Sequence, residues 1–501
     1  MSSTLTRTSM VLAGLNLLVK PIGIAKEIFI ASLFGTTGVM DAYFVALGIP
    51  NLLAGLLGSP VSSTFTPLFV RESEAGNGRV FYRQVMGWLL SIALIVAVLL
   101  LTSRYGLARF AGPGLGPEGW ALAGLILAIL TPYFVLQVVG EFHKAALTAI
   151  KKFVAASIWQ VLTPAITISA LLLFGATVPV LAGSMVAGAA GFALVTAAIL
   201  ARQGLLGISR PRVTPAIRDM SRQLPFLLLS GVLLQVNLFI DRMMASTLDD
   251  GSVAALNYAF RLLMLLQMVF VAPISQVLLP YFSENVARGE WAQLVKRSNR
   301  AVRSALIMMT PVALFGIAFG QDAVAFFYER GSFTSESTRA TASAFAAYVP
   351  TFLILASTLA LPRYFNASAK NQYILGQTIF SVVSNVLLNL LFMRYWGHAG
   401  IALSTSVTLL VSRLGLYWLM ARDVSQYGGL QSYRHLATLA GAAVALMILY
   451  RLRPLLPTPG GHLFLRVALE LLVTLVVYAV VVLPYRWRDV RELIASVRGR
   501  A

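Results

Sequence analysis

Long apolar runs recur along the whole chain, separated by short breaks that carry charge, glycine or proline. A helix needs about 20 such residues to cross the hydrocarbon of a bilayer. The pattern therefore predicts fourteen spanning helices, near 9–34, 41–70, 79–103, 119–143, 152–175, 178–201, 223–247, 252–282, 301–320, 339–362, 373–394, 398–421, 435–452 and 463–484. The connections are short, none much above about 20 residues, which leaves no room for a nucleotide-binding or soluble catalytic domain. The first run lacks a small-residue cleavage site and continues into charged residues. It is expected to stay as helix one rather than leave as a signal peptide.

Composition sharpens this picture. Of 501 residues, 58% are apolar and 12% charged, whereas a soluble chain carries about twice that charge. With no cysteine, disulfides, thiolate metal sites and cysteine nucleophiles are excluded. The four histidines, His143, His398, His435 and His462, are scattered without ligand spacing, so no zinc or haem site is expected. The net charge of +20 would suit nucleic acid in a soluble protein. Here it follows the loops: with the N-terminus inside, 26 of the 39 basic residues fall in the tails and even-numbered connections, and eight fall opposite. That bias predicts a multi-pass membrane protein with both termini cytoplasmic, and no nucleic-acid partner.

The chain also repeats itself. The stretch IASLFGTTGVMDAYFVALGIPNLL…TPLFVRESEAGNG lies over MASTLDDGSVAALNYAFRLLMLL…LPYFSENVARGE at an offset of 213 to 215 residues. Tyr43 then meets Tyr258, Pro67 meets Pro280, Phe69 meets Phe282 and Gly76 meets Gly289. An offset of six helices gives both copies the same direction through the membrane. The expected organisation is an all-α membrane protein with two parallel six-helix lobes: residues 1–215 hold helices one to six, 216–425 hold helices seven to twelve, and 426–501 hold helices thirteen and fourteen with a basic tail. Two lobes around a cavity are a common plan for alternating-access transporters.

Charges inside spans cost about 2.5–3.5 kcal/mol each on insertion scales and so mark cavities or partners. Lys20, Lys26, Arg242, Arg261 and Arg413 are the basic residues that lie well inside spans, away from their ends. Lys20 and Glu27 share a helix face, and a kink at Pro21 and Gly23 would bring Lys26 toward it. Two readings stand: lysines presented to a cavity, or a bland one, either a self-neutralising pair of Glu27 with Lys26 or Lys20 or lysines snorkelling to an interface. Arg261 follows Asn257 by one turn and has no acidic residue within a turn, so it faces another helix or a bound anion. A guanidinium grips phosphate with two parallel hydrogen bonds. Asn385, Asn389 and Thr405, with Asp241, offer oxygens for a hard cation; helix–helix hydrogen bonding is the alternative.

At GIAKEIFIASLFGTTGVMDAYFVALGIPNLL and again at VNLFIDRMMASTLDDGSVAALNYAFRLL the chain resembles the MurJ (MviN) family of lipid II flippases, in the multidrug/oligosaccharidyl-lipid/polysaccharide (MOP) exporter superfamily. The likeness extends over most of the chain. It implies the MOP flippase fold, a central cationic cavity, and helices thirteen and fourteen forming a groove for a polyprenyl tail. By the same resemblance, Lys20 and Lys26 stand at the family's helix-one arginines, Glu27 at its aspartate, and Arg261 at its helix-eight arginine. Asp241, Asn385, Asn389 and Thr405 stand at the positions of a sodium site, with Asn389 in place of an aspartate. The family's PNLLRR reads PNLLAG, with Ala54 and Gly55 where arginines are usual, and Met264 stands at an acidic position.

The function so implied is not enzymatic: a flippase moving an undecaprenyl-pyrophosphate-linked saccharide, lipid II or a related oligosaccharide unit, between leaflets. No cofactor is expected; Na+ or proton coupling is left open, and membrane lipids and a monomeric state are the other expectations. A drug exporter of the same superfamily would favour acidic cavity residues. A membrane glycosyltransferase would need catalytic loops that this chain lacks.

Overall fold

A computed structural model of the protein describes residues 21–427, 432–456, 462–484, 486, 487 and 491. Among these there are helices and turns and no strand. The chain divides into two compact units, one of residues 1–254 with 330–333, the other of 255–329 with 334–501.

The first unit holds α1 (21–34), α2 (Gly38–Glu74), α3 (Gly78–Thr102), α4 (Arg104–Ala111), α5 (Gly116–Ala149), α6 (Phe153–Ser157), α7 (Trp159–Phe174), α8 (Val178–Arg202) and α9 (Pro215–Ala245). Threonines start three of them: the side chains of Thr37, Thr177 and Thr214 accept from the backbone N–H three residues on. Each thereby satisfies one of the amides that a helix start leaves unbonded. Thr214 with Pro215 sets the start of α9 eight residues before the apolar run begins, because capping chemistry, not hydropathy, decides where a helix begins. The core of this unit is aromatic. Phe65 of α2 stacks on Phe69 and Phe81, and Phe142 of α5 lies 4.7 Å from Phe65 and 5.1 Å from Tyr82. The segment 330–333 joins the unit at the end of α1, where the Ser332 N–H donates to the Ser32 carbonyl at 2.7 Å.

The second unit holds most of α10 (Ser252–Leu266), then α11 (Ala272–Ala287), α12 (Trp291–Ala318), α13 (Gly320–Tyr328), α14 (Ser335–Thr358), α15 (Ala360–Ala367), α16 (Asn371–Val424), α17 (Ser432–Leu452) and α18 (Leu463–Val481). A π turn at Gln267–Val271 joins α10 to α11 just before Pro273, which has no N–H to continue the α ladder. α16 is two helices read as one: Gly397 at φ 54° turns the chain between expected spans eleven and twelve. Helices α17 and α18 pack on α12. Leu314 and Phe319 of that region bury with Ala445, Leu449, Val477 and Val482, and the Tyr478 hydroxyl donates to the Ile307 carbonyl at 2.8 Å.

Eleven helices among the described residues are long and apolar enough to span a membrane. One of these is the double helix of α16; α9, although 31 residues long, and α1, which enters the described region at 21, stand outside that count. Each of the fourteen expected spans has a helical counterpart among the described residues, the first from residue 21 onward. Their outward faces are apolar: Leu94, Ile95, Val98 and Leu99 of α3 are each more than half exposed. In water such a surface would be untenable; in lipid it is the stable one. The short helices α4, α13 and α15 were not anticipated, and α12 begins ten residues before its apolar run, on the amphipathic segment WAQLVKRSNR.

Candidate functional site

Three helices of the first unit each present one polar stripe to a shared cavity of about 360 Å³. On α2 the stripe is Gly48, Asn51, Gly55 and Gly58, spaced three, four and three, which keeps all four on one face. On α5 it is Gln137 and Glu141, one turn apart; on α9 it is Gln235, Phe239 and Arg242. The glycines make the room. A Cβ at Gly48 would sit 3.2 Å from an Arg242 guanidinium nitrogen, one at Gly55 3.2 Å from the Gln235 side chain, and one at Gly58 3.2 Å from Glu141. Each of these three glycines therefore faces a polar side chain of another helix at close range.

Hydrogen bonds orient the lining. The Tyr133 hydroxyl donates to the Asn51 amide oxygen at 3.2 Å, leaving the Asn51 NH2 group for the cavity. Glu141 pairs with Lys144 at 3.2 Å, and the Lys144 ammonium stands 5.6 Å over the Trp159 ring. The Gln137 amide oxygen is buried and accepts no hydrogen bond from the described residues. Ala54 and Gly55, which stand where arginines are usual in the family resembled, both line this cavity.

The other candidates fall as follows. Lys20 lies outside the described residues. Lys26 and Glu27, adjacent on α1, form an ion pair at 2.8 Å with each side chain 13% exposed. Of the two readings of that helix, the self-neutralising pair of Glu27 with Lys26 is present. Asp241 is buried on α9 in the first unit, next to Arg242. Asn257, buried, and Arg261, half-buried, stand one turn apart on α10.

In the second unit the expected cation ligands sit together. The Asn385 NH2 group donates to Ser404 and Thr405, both at 3.4 Å; that of Asn389 donates to the Asn385 oxygen at 3.1 Å; and the Ser404 hydroxyl donates to the Asn389 oxygen. Both asparagines are fully buried. Each amide oxygen already accepts a hydrogen bond, and these contacts join the two halves of α16. No group of three or more His, Cys, Asp or Glu side chains able to hold a metal occurs among the described residues.

Two features escaped the sequence reading. The amides Asn51, Gln137 and Gln235 carry no charge and sit in three spans far apart in sequence, and polar amides in spans ordinarily bond helix to helix. Asp41, buried in the first turn of α2, accepts from the backbone N–H groups of Gly251 and Ala254, each at 2.7 Å. An acidic residue at the lip of an apolar run, with the turn sequence DDG elsewhere, was the available signal for that contact.

The family described as lipid II flippase MurJ matches residues 30–472. A relative from Rickettsia prowazekii (strain Madrid E), named a probable lipid II flippase MurJ, is 30% identical over 426 residues, 81% of each chain. A solved structure of lipid II flippase MurJ in an inward closed conformation aligns with a TM-score of 0.80 at 20% identity, over 96% of this chain and 99% of that one. An inward-facing multidrug resistance MATE family transporter of the MOP superfamily aligns with a TM-score of 0.67 at 16% identity, over 81% of this chain and 94% of that one. The fold is accordingly that of the MOP transporters.

Proposed function

The chain belongs to the family of lipid II flippase MurJ, and from that membership we propose that it moves an undecaprenyl-pyrophosphate-linked saccharide from the cytoplasmic to the outer leaflet of a bacterial inner membrane. The observation that carries this reading is the polar cavity of α2, α5 and α9, enclosed by helices whose outer faces are apolar. A carrier must hide a hydrated head group while its lipid tail stays in hydrocarbon, and a polar hollow in an apolar bundle meets that need.

In this reading the two repeats act as two parallel lobes that expose the site alternately to each side. Both termini are cytoplasmic, supported by the 26 basic residues on that side. Lys20, Lys26, Arg261 and Asn257 receive the diphosphate, and Glu27, paired to Lys26, lowers the positive charge so that the anion is released as well as captured. A different oligosaccharide on the same carrier lipid is the second reading, favoured by Ala54 and Gly55 at positions where the family has arginines.

The test is flipping of fluorescent lipid II in vesicles containing the purified protein, compared with Lys26→Ala and Arg261→Ala. Transport by the unaltered chain and its loss in both variants is expected. Undiminished transport in both variants overturns these roles.

A further inference from the structure

We propose that the chamber between Gly55 and the amides of Gln137 and Gln235 is a subsite for the uncharged saccharide of the substrate, separate from the groups that hold its diphosphate. The inference rests on the lipid-linked-saccharide reading above and adds which part of the head group this cavity takes.

The argument is one of donors and acceptors. At neutral pH a diphosphate offers acceptors only. Gln137, which lines the chamber, has a buried amide oxygen with no partner among the described residues, and Glu141, also in the lining, is acceptor-only. Both would repel a phosphate oxygen and both suit a donor. A sugar hydroxyl donates and accepts at once, as does an acetamido group, and an amide side chain complements either. Asn51 adds the complementary half, since Tyr133 occupies its oxygen and leaves its NH2 as donor. Arg242, at the Gly48 end, is the single basic side chain among the described residues that line the cavity.

Space agrees with chemistry. A cavity of about 360 Å³ is within the range of roughly 300–1,000 Å³ typical of small-molecule sites. That volume exists because positions 54 and 55 carry Ala and Gly. An arginine at 55 would enter the position of Gln235, whose side chain already stands 3.2 Å from a Cβ there. Small residues at 54 and 55 thus leave room beside the hydrogen-bonding amides, which suits a bulky neutral group.

The experiment measures binding of two probes to the full chain in detergent by native mass spectrometry: lipid II and sugar-free undecaprenyl pyrophosphate. Gln137→Leu and Gln235→Leu keep side-chain volume and remove the amide; Gly55→Val keeps the amides and fills the chamber. Each variant is expected to lose about tenfold in affinity for lipid II, the size of one or two net hydrogen bonds, and to bind the sugar-free lipid as the unaltered chain does. A parallel loss for both probes, or no loss for either, overturns the subsite while leaving the flippase reading in place. Failure of the unaltered chain to bind either lipid overturns the flippase reading, and the subsite falls with it.

Discussion

The carboxylate of Asp41, near the start of α2, accepts the backbone N–H of Ala254 at 2.7 Å, 213 residues along the chain, and that of Gly251 at the same distance. These amides belong to the first turn of α10 and the turn before it, where a helix has unbonded donors and a partial positive charge. Asp41 therefore caps a helix from outside that helix. Gly251, at φ 88°, permits the approach: a Cβ there would sit 2.6 Å from the Thr36 carbonyl oxygen.

Replacing Asp41 by Ala leaves those donors unbonded, and the loss of a cap costs about 0.5–2 kcal/mol. Asp41→Ala is expected to lower the thermal midpoint of the purified protein, and Asp41→Asn, which keeps an acceptor oxygen, to recover part of it. An unchanged midpoint in the alanine variant would show that water replaces the carboxylate at no cost.

The Lys26–Glu27 pair sets the charge available at α1. Removing the carboxylate while keeping its shape leaves the ammonium uncompensated, which favours an anion and penalises its departure. Glu27→Gln is therefore expected to bind undecaprenyl pyrophosphate more tightly and to flip lipid II more slowly. Lys26→Ala should weaken binding of both lipids. Faster flipping by Glu27→Gln would mean that the pair acts as an obstacle to capture instead of a release device.

Arg466 of α18 joins Asp322 of α13 at 3.1 Å and Glu470 at 3.2 Å, and Arg453 approaches Asp322 at 3.9 Å. Asp322 and Glu470 are buried, and the arginines are about one-third exposed. Breaking such a half-buried network should cost between the ~0–1 kcal/mol of a surface pair and the ~3–5 kcal/mol of a buried one. Asp322→Asn is expected to destabilise the protein in that range, measured by denaturation in detergent. The difference from the unaltered chain should shrink little in high salt, because the carboxylates are shielded from water.

Sequence revealed the helices through one constraint that lipid imposes, about 20 apolar residues per crossing. It did not reveal α4 or α13, which are eight and nine residues long and owe their helicity to packing at the ends of spans. The charged candidates stood out because a Lys or Arg in an apolar run is costly, and Lys26, Glu27 and Arg261 were found for that reason. Gln137 and Gln235 carry no such penalty. Their common destination depends on α2, α5 and α9 meeting at the glycine face of α2, at 48, 55 and 58, which no count of apolar runs contains.

Asn389 provides the sharpest chemical test. Its NH2 group donates to Asn385 at 3.1 Å and its oxygen accepts from Ser404, so both ends of the amide are engaged. Asn389→Asp exchanges the donor for a second acceptor and sets a charged oxygen against the Asn385 oxygen. Leaving a buried acceptor opposed in this way costs about 1–3 kcal/mol, more with charge, unless a cation enters between the oxygens. The variant is expected to melt below the unaltered protein in choline chloride and to regain stability in sodium chloride at the same ionic strength, while the unaltered protein melts alike in both salts. A sodium-dependent rise in the unaltered protein would instead show that its amides already hold the ion.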